Sequence, residues 1–318
     1  MKEEYLGTVE DQRYVRTYLE NIRRLDPLEI ATLPNPFTLA DPRIEEMLDV
    51  LRFQRIVSHC IEECQRRYKI RLTPVKTERY YTAEPPESNL GGFHGLHSLG
   101  YQYWYHAAFV VLLDRRLVSK ELRTIEMIRN FLHDCFHHST YRSFRRVIRI
   151  PAASANVAKN RVPEVYREQY GINFRDQDGF SYSTSRLTER SPEAINLNLL
   201  MDGAIILVIA ELMREAVGDE AHGSSQLEKE IRKEIFLEPF DAFVLQRAHR
   251  FYKSVIEPSQ LFIEHWGGRD FTVLVLQAMM SGELQALKQF FDEKTGTQNV
   301  WEKRFKRPGF RLPSNPEI

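Results

Sequence analysis

Apolar residues recur at the spacing of amphipathic helices along most of the chain. This spacing predicts two N-terminal helices, at 11–24 and 42–68. Residues 97–114 are apolar on nearly every side, which is typical of a helix at the centre of a helical domain. A further helix is predicted at 119–138, with one stripe of residues facing the core: Leu122, Ile125, Ile128, Leu132 and Cys135.

The C-terminal half continues the helical pattern. Ser191-Pro192-Glu193 has the cap, the proline and the early acid of a helix start, so we expect a helix from Ser191 to Ala216. The polar residues from Glu293 onward predict a surface tail. Between these two segments the pattern predicts four shorter helices, at 226–235, 239–256, 270–280 and 282–292.

Two stretches interrupt the helices. Residues 72–93 are rich in proline and glycine, and we expect a short strand at 79–82 within them. Residues 151–190 are polar without a sustained period, and Asp178-Gly179 between short apolar runs suggests a hairpin. A long irregular segment of this kind is more often a lid or a binding loop than a neutral connection.

Composition narrows the classes of protein to which the chain can belong. Forty-four Lys and Arg balance forty-four Asp and Glu, so we expect no general binding to nucleic acid. No apolar stretch reaches the ~20 residues of a membrane span, and the N-terminus lacks the apolar region of a signal peptide. Three cysteines are too few for a disulfide framework. We therefore expect a cytoplasmic protein that binds no membrane.

Candidate metal ligands are concentrated at the end of the predicted helix 119–138. His133 and His137 are one helical turn apart, as are Asp134 and His138, so the four side chains form one patch. Imidazole and carboxylate together suit a first-row divalent ion, whereas calcium requires oxygen ligands throughout. The spacing alone is moderately specific.

A carboxylate at position 202 lies on what should be the buried stripe of its helix. Burying an unpartnered charge is costly, so Asp202 requires a cation, a metal or a proton. Gly203 beside it permits the close approach of another element. His97 begins the helix before His133, and consecutive helices usually pack side by side. A metal shared by His97, His133, Asp134 and Asp202 accounts for these features together, although separate structural partners for each group are the alternative.

These residues resemble the HD-domain superfamily of metal-dependent phosphohydrolases, whose motif is a His, a later His-Asp pair and a distant Asp. Here they are His97, followed by Ser98-Leu99-Gly100, then His133-Asp134-x-x-His137, then Asp202. The chain departs from the family at His94, where members often have arginine, and at Phe136, where they typically have glycine.

The resemblance implies an all-α fold, an HD-like helical bundle with extra N- and C-terminal helices and one long irregular loop. We expect one domain over residues 1–318, with oligomerisation left open. Its parts are an HD-like core at about 90–215, flanking helices within 10–68 and 226–292, and the polar tail 293–318.

The resemblance also implies hydrolysis of a phosphomonoester or phosphodiester in a nucleotide or related small phosphate compound. Asp134 would take a proton from a metal-bound water, and His137 or His138 would donate to the leaving oxygen or bind phosphate. The ion would be Mn, Fe, Co, Ni, Zn or Mg. The basic run that follows suits phosphate binding or is a solvated helix face, and it comprises Arg142, Arg145, Arg146 and Arg149. Tyr141 and Tyr170 are candidates to stack on a base.

Two other function classes remain open. Some HD-fold proteins are diiron oxygenases, but these require extra histidines, and none occurs between Ser139 and Met201. The second alternative is a non-catalytic binding or regulatory protein that keeps the fold. An intact ligand set argues mildly against that interpretation.

Overall fold

The structure is a computed structural model that describes residues 3–23, 37–38, 48–75, 80–83, 109–112, 119–146, 165–174, 197–221, 244–245 and 252–305. This part of the chain is mainly helical, as predicted. Its helices are α1 (Val9–Arg23), α2 (Val50–Tyr68), α3 (Lys120–Ser139), α4 (Asn198–Ala221), α5 (Glu257–Trp266), α6 (Arg269–Ser281), α7 (Gln285–Thr295) and α8 (Val300–Arg304). A π-helical turn, Tyr252–Ile256, leads directly into α5.

Two small sheets accompany the helices. The strands are β1 (Glu3–Leu6), β2 (Phe37–Thr38), β3 (Tyr80–Ala83), β4 (Phe109–Leu112), β5 (Arg142–Arg146), β6 (Val165–Tyr170) and β7 (Asn173–Phe174). One sheet has the order β1-β5-β6-β7 and the other β2-β3-β4. β1 is parallel to β5, whereas β6 and β7 form an antiparallel hairpin.

Helix α4 lies at the centre of the described core. It packs against α2, α3, α5 and α6 as well as the π-helical turn. Buried apolar residues cover most sides of its first four turns, among them Met201, Ala204, Ile205, Ile209 and Met213. A helix that is apolar nearly all round is what such a central position requires. Among the described residues, no helix has the length and apolarity that a bilayer crossing needs.

Gly203 lets α5 approach α4, as the sequence suggested. A Cβ atom at position 203 would lie 2.1 Å from the Cβ atom of Ser259 and 2.2 Å from its Oγ atom. Ser259 is fully buried, and its hydroxyl donates to the carbonyl oxygen of Leu199 at 2.8 Å. The chain therefore needs glycine at position 203 for the two helices to pack at this distance.

Two helices begin later in the described residues than predicted, whereas residues 42–47 and 191–196, where the predicted starts lie, are outside the described part of the chain. Helix α2 begins at Val50 rather than at 42, because the Asp49 side chain accepts from the backbone N–H of Arg52 at 3.0 Å and caps the helix there. Helix α4 begins at Asn198 rather than at Ser191. The residue before it, Leu197, is not helical and donates its N–H to Oδ1 of Asn173 at 2.7 Å.

The helix predicted over 97–114 is wrong at its C-terminal end. Residues Phe109–Leu112 form β4, which pairs in parallel with β3, the strand predicted at 79–82. A short apolar run suits a buried strand as well as a buried helix, so periodicity could not separate the two. The rest of 97–114 lies outside the described residues, as does the helix predicted at 226–235.

The C-terminal segment is more ordered than the predicted surface tail. The helices predicted at 270–280 and 282–292 are confirmed as α6 and α7, but α8 follows them. Trp301 and Phe305 are 0% and 1% exposed and belong to the main core. The prediction of a polar tail is therefore wrong for these residues. Of the helix predicted at 239–256, the structure describes 244–245 and the π-helical turn.

Candidate metal centre

The candidate site begins with two histidines near the C-terminal end of α3. Ser119 caps this helix by accepting from the backbone N–H of Leu122 at 3.1 Å, which sets the start of the helical register. His133 and His137 are one turn apart on it, and their rings meet edge to face with centroids 4.6 Å apart. The 6% exposed His137 lies in the protein interior.

Asp202 brings a carboxylate from α4 to these imidazoles. Its Oδ1 atom lies 2.9 Å from Nε2 of His137. One ligand atom from each of His133, His137 and Asp202 can be chosen so that all three lie within 4.8 Å of one another. Helices α3 and α4 are packed neighbours, so the site sits between two core elements rather than on a mobile loop.

The donor set suits a first-row divalent ion. Two imidazole nitrogens and one carboxylate oxygen are the three protein ligands of many zinc and iron sites, with the remaining positions open. Ligand atoms lie about 2.0–2.1 Å from such an ion. If the angle between two ligands at the ion lies between a right angle and the tetrahedral angle, the two ligand atoms are roughly 2.9–3.4 Å apart. The separation of 2.9 Å between Nε2 of His137 and Oδ1 of Asp202 is that of a hydrogen-bonded imidazole–carboxylate pair, and it also lies at the lower end of that range.

The other ring nitrogen of His137 is held by Tyr170. Nδ1 and the Tyr170 hydroxyl form a short hydrogen bond, and the two rings stack at an interplanar angle of 11° with centroids 5.7 Å apart. Tyr170 is buried at the end of β6, next to the turn of the β6–β7 hairpin. Gly171 in that turn has a φ of 55°, in the left-handed region that glycine tolerates.

The carbonyl oxygen of His137 lies within hydrogen-bond distance of donors from three residues, and Thr140 contributes its backbone N–H, at 3.4 Å, as well as its hydroxyl. The Thr140 hydroxyl donates to it at 2.7 Å and Nη2 of Arg142 at 3.0 Å. The Tyr170 hydroxyl lies 3.4 Å from the same oxygen. Arg142 is buried, and its guanidinium carbon is 5.7 Å from the centroid of the Tyr170 ring. A positive charge therefore lies beside the His137 backbone.

Hydrogen bonds connect the hairpin to α6 by two routes, through the backbone of Tyr141 and through the side chain of Gln169. The N–H of Gly171 donates to the carbonyl oxygen of Tyr141 at 2.9 Å, and the N–H of Tyr141 donates to that of Met279 at the same distance. The Gln169 side chain donates to the carbonyl oxygens of Gly171 and Gly282 at 2.9 and 3.1 Å. The position of Tyr170 against His137 is thus supported by Tyr141 and by the C-terminal end of α6.

The predicted metal ligands have different outcomes. His133 and Asp202 belong to the convergent group, whereas His97 lies outside the described residues. Asp134 is 2% exposed, but its carboxylate is not part of the three-ligand group. Its assignment as a ligand and as a proton acceptor stays a prediction.

Of the two histidines predicted to be catalytic, the three-ligand group includes His137 and not His138. His137 belongs to this group as a candidate ligand. The sequence instead predicts His97 and Asp134 as the ligands beside His133 and Asp202. His138, the next residue on α3, is not in the group. Its role as a proton donor or phosphate ligand stays a prediction.

The arginine run lies on a strand, so the alternative of a solvated helix face is wrong for Arg142, Arg145 and Arg146. Nε of Arg145 is 2.9 Å from the carboxylate of Glu168 on the neighbouring strand. Arg146 lies over the Tyr14 ring of α1, 3.9 Å from its centroid, and is 3.8 Å from Asp11. Of the three, Arg142 contacts the candidate site. Arg149 and Asp178-Gly179 lie outside the described residues.

Sequence reasoning missed a second polar group on the same face of α3. Glu126 and Arg129 form a buried ion pair, and Nδ2 of Asn130 donates to Oε1 of Glu126 at 3.1 Å. Positions 126, 130, 133 and 137 follow one another at intervals of four, three and four, so they share a helix face. This spacing was visible in the sequence. The sequence alone indicates no function for these polar residues, because the apolar stripe of the same helix dominates the pattern.

Comparison of the chain with protein-family models, with curated proteins and with solved structures found no match in any of the three.

Proposed function

We propose that the protein is a metal-dependent hydrolase that acts on a phosphate ester, in a nucleotide or a related small phosphate compound. The observation that carries the proposal is the convergence of His133, His137 and Asp202 between two packed helices. The order of histidines and aspartates that resembles the HD-domain superfamily supports the same function.

In this proposal, His133, His137 and Asp202 would hold a divalent ion, with His97 as a further candidate ligand. Such an ion, when bound, would lower the pKa of a coordinated water molecule and polarise a phosphoryl oxygen. Asp134 is the candidate to accept the proton of the attacking water, because it adjoins His133 on α3 and is a buried carboxylate. His138 is the candidate to donate a proton to the leaving oxygen.

Arg142 supplies the charge that a phosphate substrate requires. The chain has no net charge, so attraction to an anion must come from a local group. The guanidinium of Arg142 lies within hydrogen-bond distance of the His137 carbonyl oxygen and presents its donors in a planar array that matches phosphate oxygens. Arg145 and Arg146 were also predicted to bind substrate, but they pair with Glu168 and Asp11 and are weaker candidates.

A second candidate function is oxygen chemistry at a single iron. Two histidines and one carboxylate are the ligand set of many non-haem Fe(II) oxygenases, in which open positions bind oxygen and substrate. The described group has that composition. This alternative differs from the diiron oxygenase considered from sequence because it needs no histidines beyond His133 and His137.

Metal analysis combined with turnover assays tests the proposal. Protein purified without chelator should contain about one divalent ion per chain and release phosphate from at least one member of a panel of nucleotides and sugar phosphates. Asp134→Asn should abolish phosphate release while the protein keeps its helicity. His59→Gln, which changes an exposed histidine on α2, is the matched control and should leave both metal content and turnover unchanged.

Three outcomes would contradict the proposed hydrolase or the role given to Asp134. Bound iron with oxygen consumption and no phosphate release would favour the single-iron oxygenase. Protein that neither retains nor binds a divalent ion would favour the non-catalytic binding protein. Loss of helicity in Asp134→Asn would assign Asp134 a structural role.

A further inference from the structure

A histidine binds a metal through one ring nitrogen, and the hydrogen bond of the other nitrogen determines which tautomer is present. In His137, Nε2 faces Asp202 and is the atom available to an ion. Nδ1 faces the hydroxyl of Tyr170. With an ion bound to Nε2 beside Asp202, the ring hydrogen must lie on Nδ1, where the Tyr170 oxygen can accept it.

We propose that Tyr170 is a positioning residue that holds His137 in the tautomer and ring orientation required for metal binding through Nε2. The inference rests on the metal centre of the proposed function and adds to it a residue from the β6–β7 hairpin. Tyr170 does not need to touch the ion or the substrate. It acts through His137.

The geometry accounts for both hydrogens involved. When the imidazole hydrogen is on Nδ1, it donates to the Tyr170 oxygen, and the Nε2 lone pair can bind an ion that Asp202 also binds. The Tyr170 hydroxyl hydrogen then has an acceptor in the carbonyl oxygen of His137, which lies 3.4 Å away. A tyrosine hydroxyl can accept and donate at once, so this arrangement needs no proton transfer.

Tyr170 also fixes the plane of the imidazole. Its ring stacks on that of His137 at 11°, and its own position is fixed by the strand pairing of β6 with β5. The turn residue Gly171 has its N–H bonded to Tyr141, and a Cβ atom at position 171 would lie 2.9 Å from Sδ of Met201. The hairpin is therefore seated against the residue that precedes Asp202.

The contact between Tyr170 and His137 is hard to predict from the sequence. Tyr170 follows His137 by 33 residues, and residues 147–164 between them lie outside the described part of the chain. From the sequence, Tyr170 is a candidate only for stacking on a base. The structure instead places its ring against an imidazole.

The test is Tyr170→Phe, which removes the hydroxyl and keeps the stacked ring. We expect affinity for Zn²⁺, measured by competition with a chelating dye, to fall by about 10- to 100-fold, as is typical when the hydrogen-bond partner of a metal-bound histidine is lost. Tyr68→Phe is the matched control. Tyr68 is also buried, and its hydroxyl donates to Oε2 of Glu211 at 2.7 Å, so the control loses one hydrogen bond between α2 and α4, nine residues along α4 from Asp202. Its Zn²⁺ affinity should match that of the unchanged protein.

A second measurement does not depend on the folding of the variant. In the unchanged protein with Zn²⁺ bound, the side-chain nitrogen chemical shifts of His137 should show hydrogen on Nδ1 and metal on Nε2. The opposite tautomer would overturn the inference, and so would Tyr170→Phe with unchanged Zn²⁺ affinity. Failure of the unchanged protein to bind Zn²⁺ or any other divalent ion would overturn the proposed function as well as this inference. Metal binding by the unchanged protein therefore distinguishes failure of the inference alone from failure of both.

Discussion

Nε2 of His137 lies 2.9 Å from Oδ1 of Asp202, and this contact joins the C-terminal end of α3 to the first turns of α4. Both helices belong to the main core, so the two side chains are held by packed elements. Polar groups in such a position need partners, and here the imidazole and the carboxylate are partners of each other. A divalent ion bound between them and His133 would use the same two atoms as ligands.

Replacing Asp202 with asparagine should weaken metal binding more than any other conservative change at the site. The substitution keeps the size of the side chain and removes the negative charge that offsets the charge of the ion. We expect affinity for Zn²⁺ or Mn²⁺ to fall by at least about 100-fold, since loss of a ligand exceeds the effect of losing an outer partner. Isothermal titration calorimetry measures this directly. Asp270→Asn, at an exposed position in the first turn of α6, is the control, and equal affinities in the two variants would argue against Asp202 as a ligand.

Metal removal should lower the thermal stability of the unchanged protein. An ion that binds only the folded state stabilises it by about 2.7 kcal/mol when its free concentration is a hundred times the dissociation constant. We therefore expect the unfolding midpoint to fall by a few degrees with a chelator and to recover when the ion is restored. Differential scanning calorimetry is the measurement. Asp202→Asn should show no such dependence, and a chelator effect of equal size in both proteins would indicate a metal site elsewhere.

Much of the helical architecture could be predicted from the sequence, because it depends on local periodicity. Helix α3 has one apolar stripe and a Ser119 cap, so its bounds agree with the prediction to within a residue. Strand β5 could not be predicted in this way. Three of its five residues are arginine, and it is a strand because its backbone pairs with β1 and β6, which are distant in sequence.

The candidate site was predictable in part. Asp202 stood out as a charge on an apolar stripe, and its position near His133 follows from the packing of α3 against α4. The contact of Asp202 with His137 rather than with Asp134 depends on the rotation of α3 about its own axis. Tertiary packing sets that rotation, and the periodicity of one sequence does not determine it.

Gly203→Ala should destabilise the protein and perturb the neighbouring Asp202. The added methyl group would lie 2.1 Å from the Cβ atom of Ser259, so α4 and α5 would have to separate. Overpacking of a buried contact typically costs about 1–3 kcal/mol, and we expect a loss in the upper part of that range by urea denaturation. Ser259→Gly in the same chain should recover part of the loss, so the double variant should be more stable than the sum of the single changes. Strict additivity would show that the two residues do not meet.

The cysteine thiols should be unreactive while the protein is folded. Burial raises the pKa of Cys60 and of Cys64 to about 12, and all three cysteines, including Cys135, are buried and free. Because the thiolate is the nucleophile, labelling by a disulfide reagent at about pH 8 should be very slow until denaturant is added. Rapid labelling of one thiol without denaturant would show that its helix opens locally.

The same shift has a consequence for stability at high pH. The pKa of each thiol is raised on folding from an unfolded value of about 8.5, so its contribution to stability is complete below that pH. The contribution is then lost as the pH rises toward about 12. A Cys60→Ala/Cys64→Ala variant should therefore lose less stability over this interval than the unchanged protein. If urea denaturation showed that both proteins lose the same free energy of unfolding over this pH interval, the raised pKa of the two thiols would be contradicted.

Trp301→Ala should show that the C-terminal segment is part of the folded core. Trp301 is fully buried, and its ring centroid lies 4.9 Å from that of Phe305 and 6.3 Å from that of Phe291 on α7. Truncation of a buried tryptophan to alanine typically costs about 3–5 kcal/mol, because it removes apolar contacts and leaves a cavity. Lys303→Ala, an exposed change on the same short helix, should have an effect within about 0.5 kcal/mol. If the two substitutions had equal effects on the free energy of unfolding, residues 300–305 would be a surface tail as the polar composition suggested.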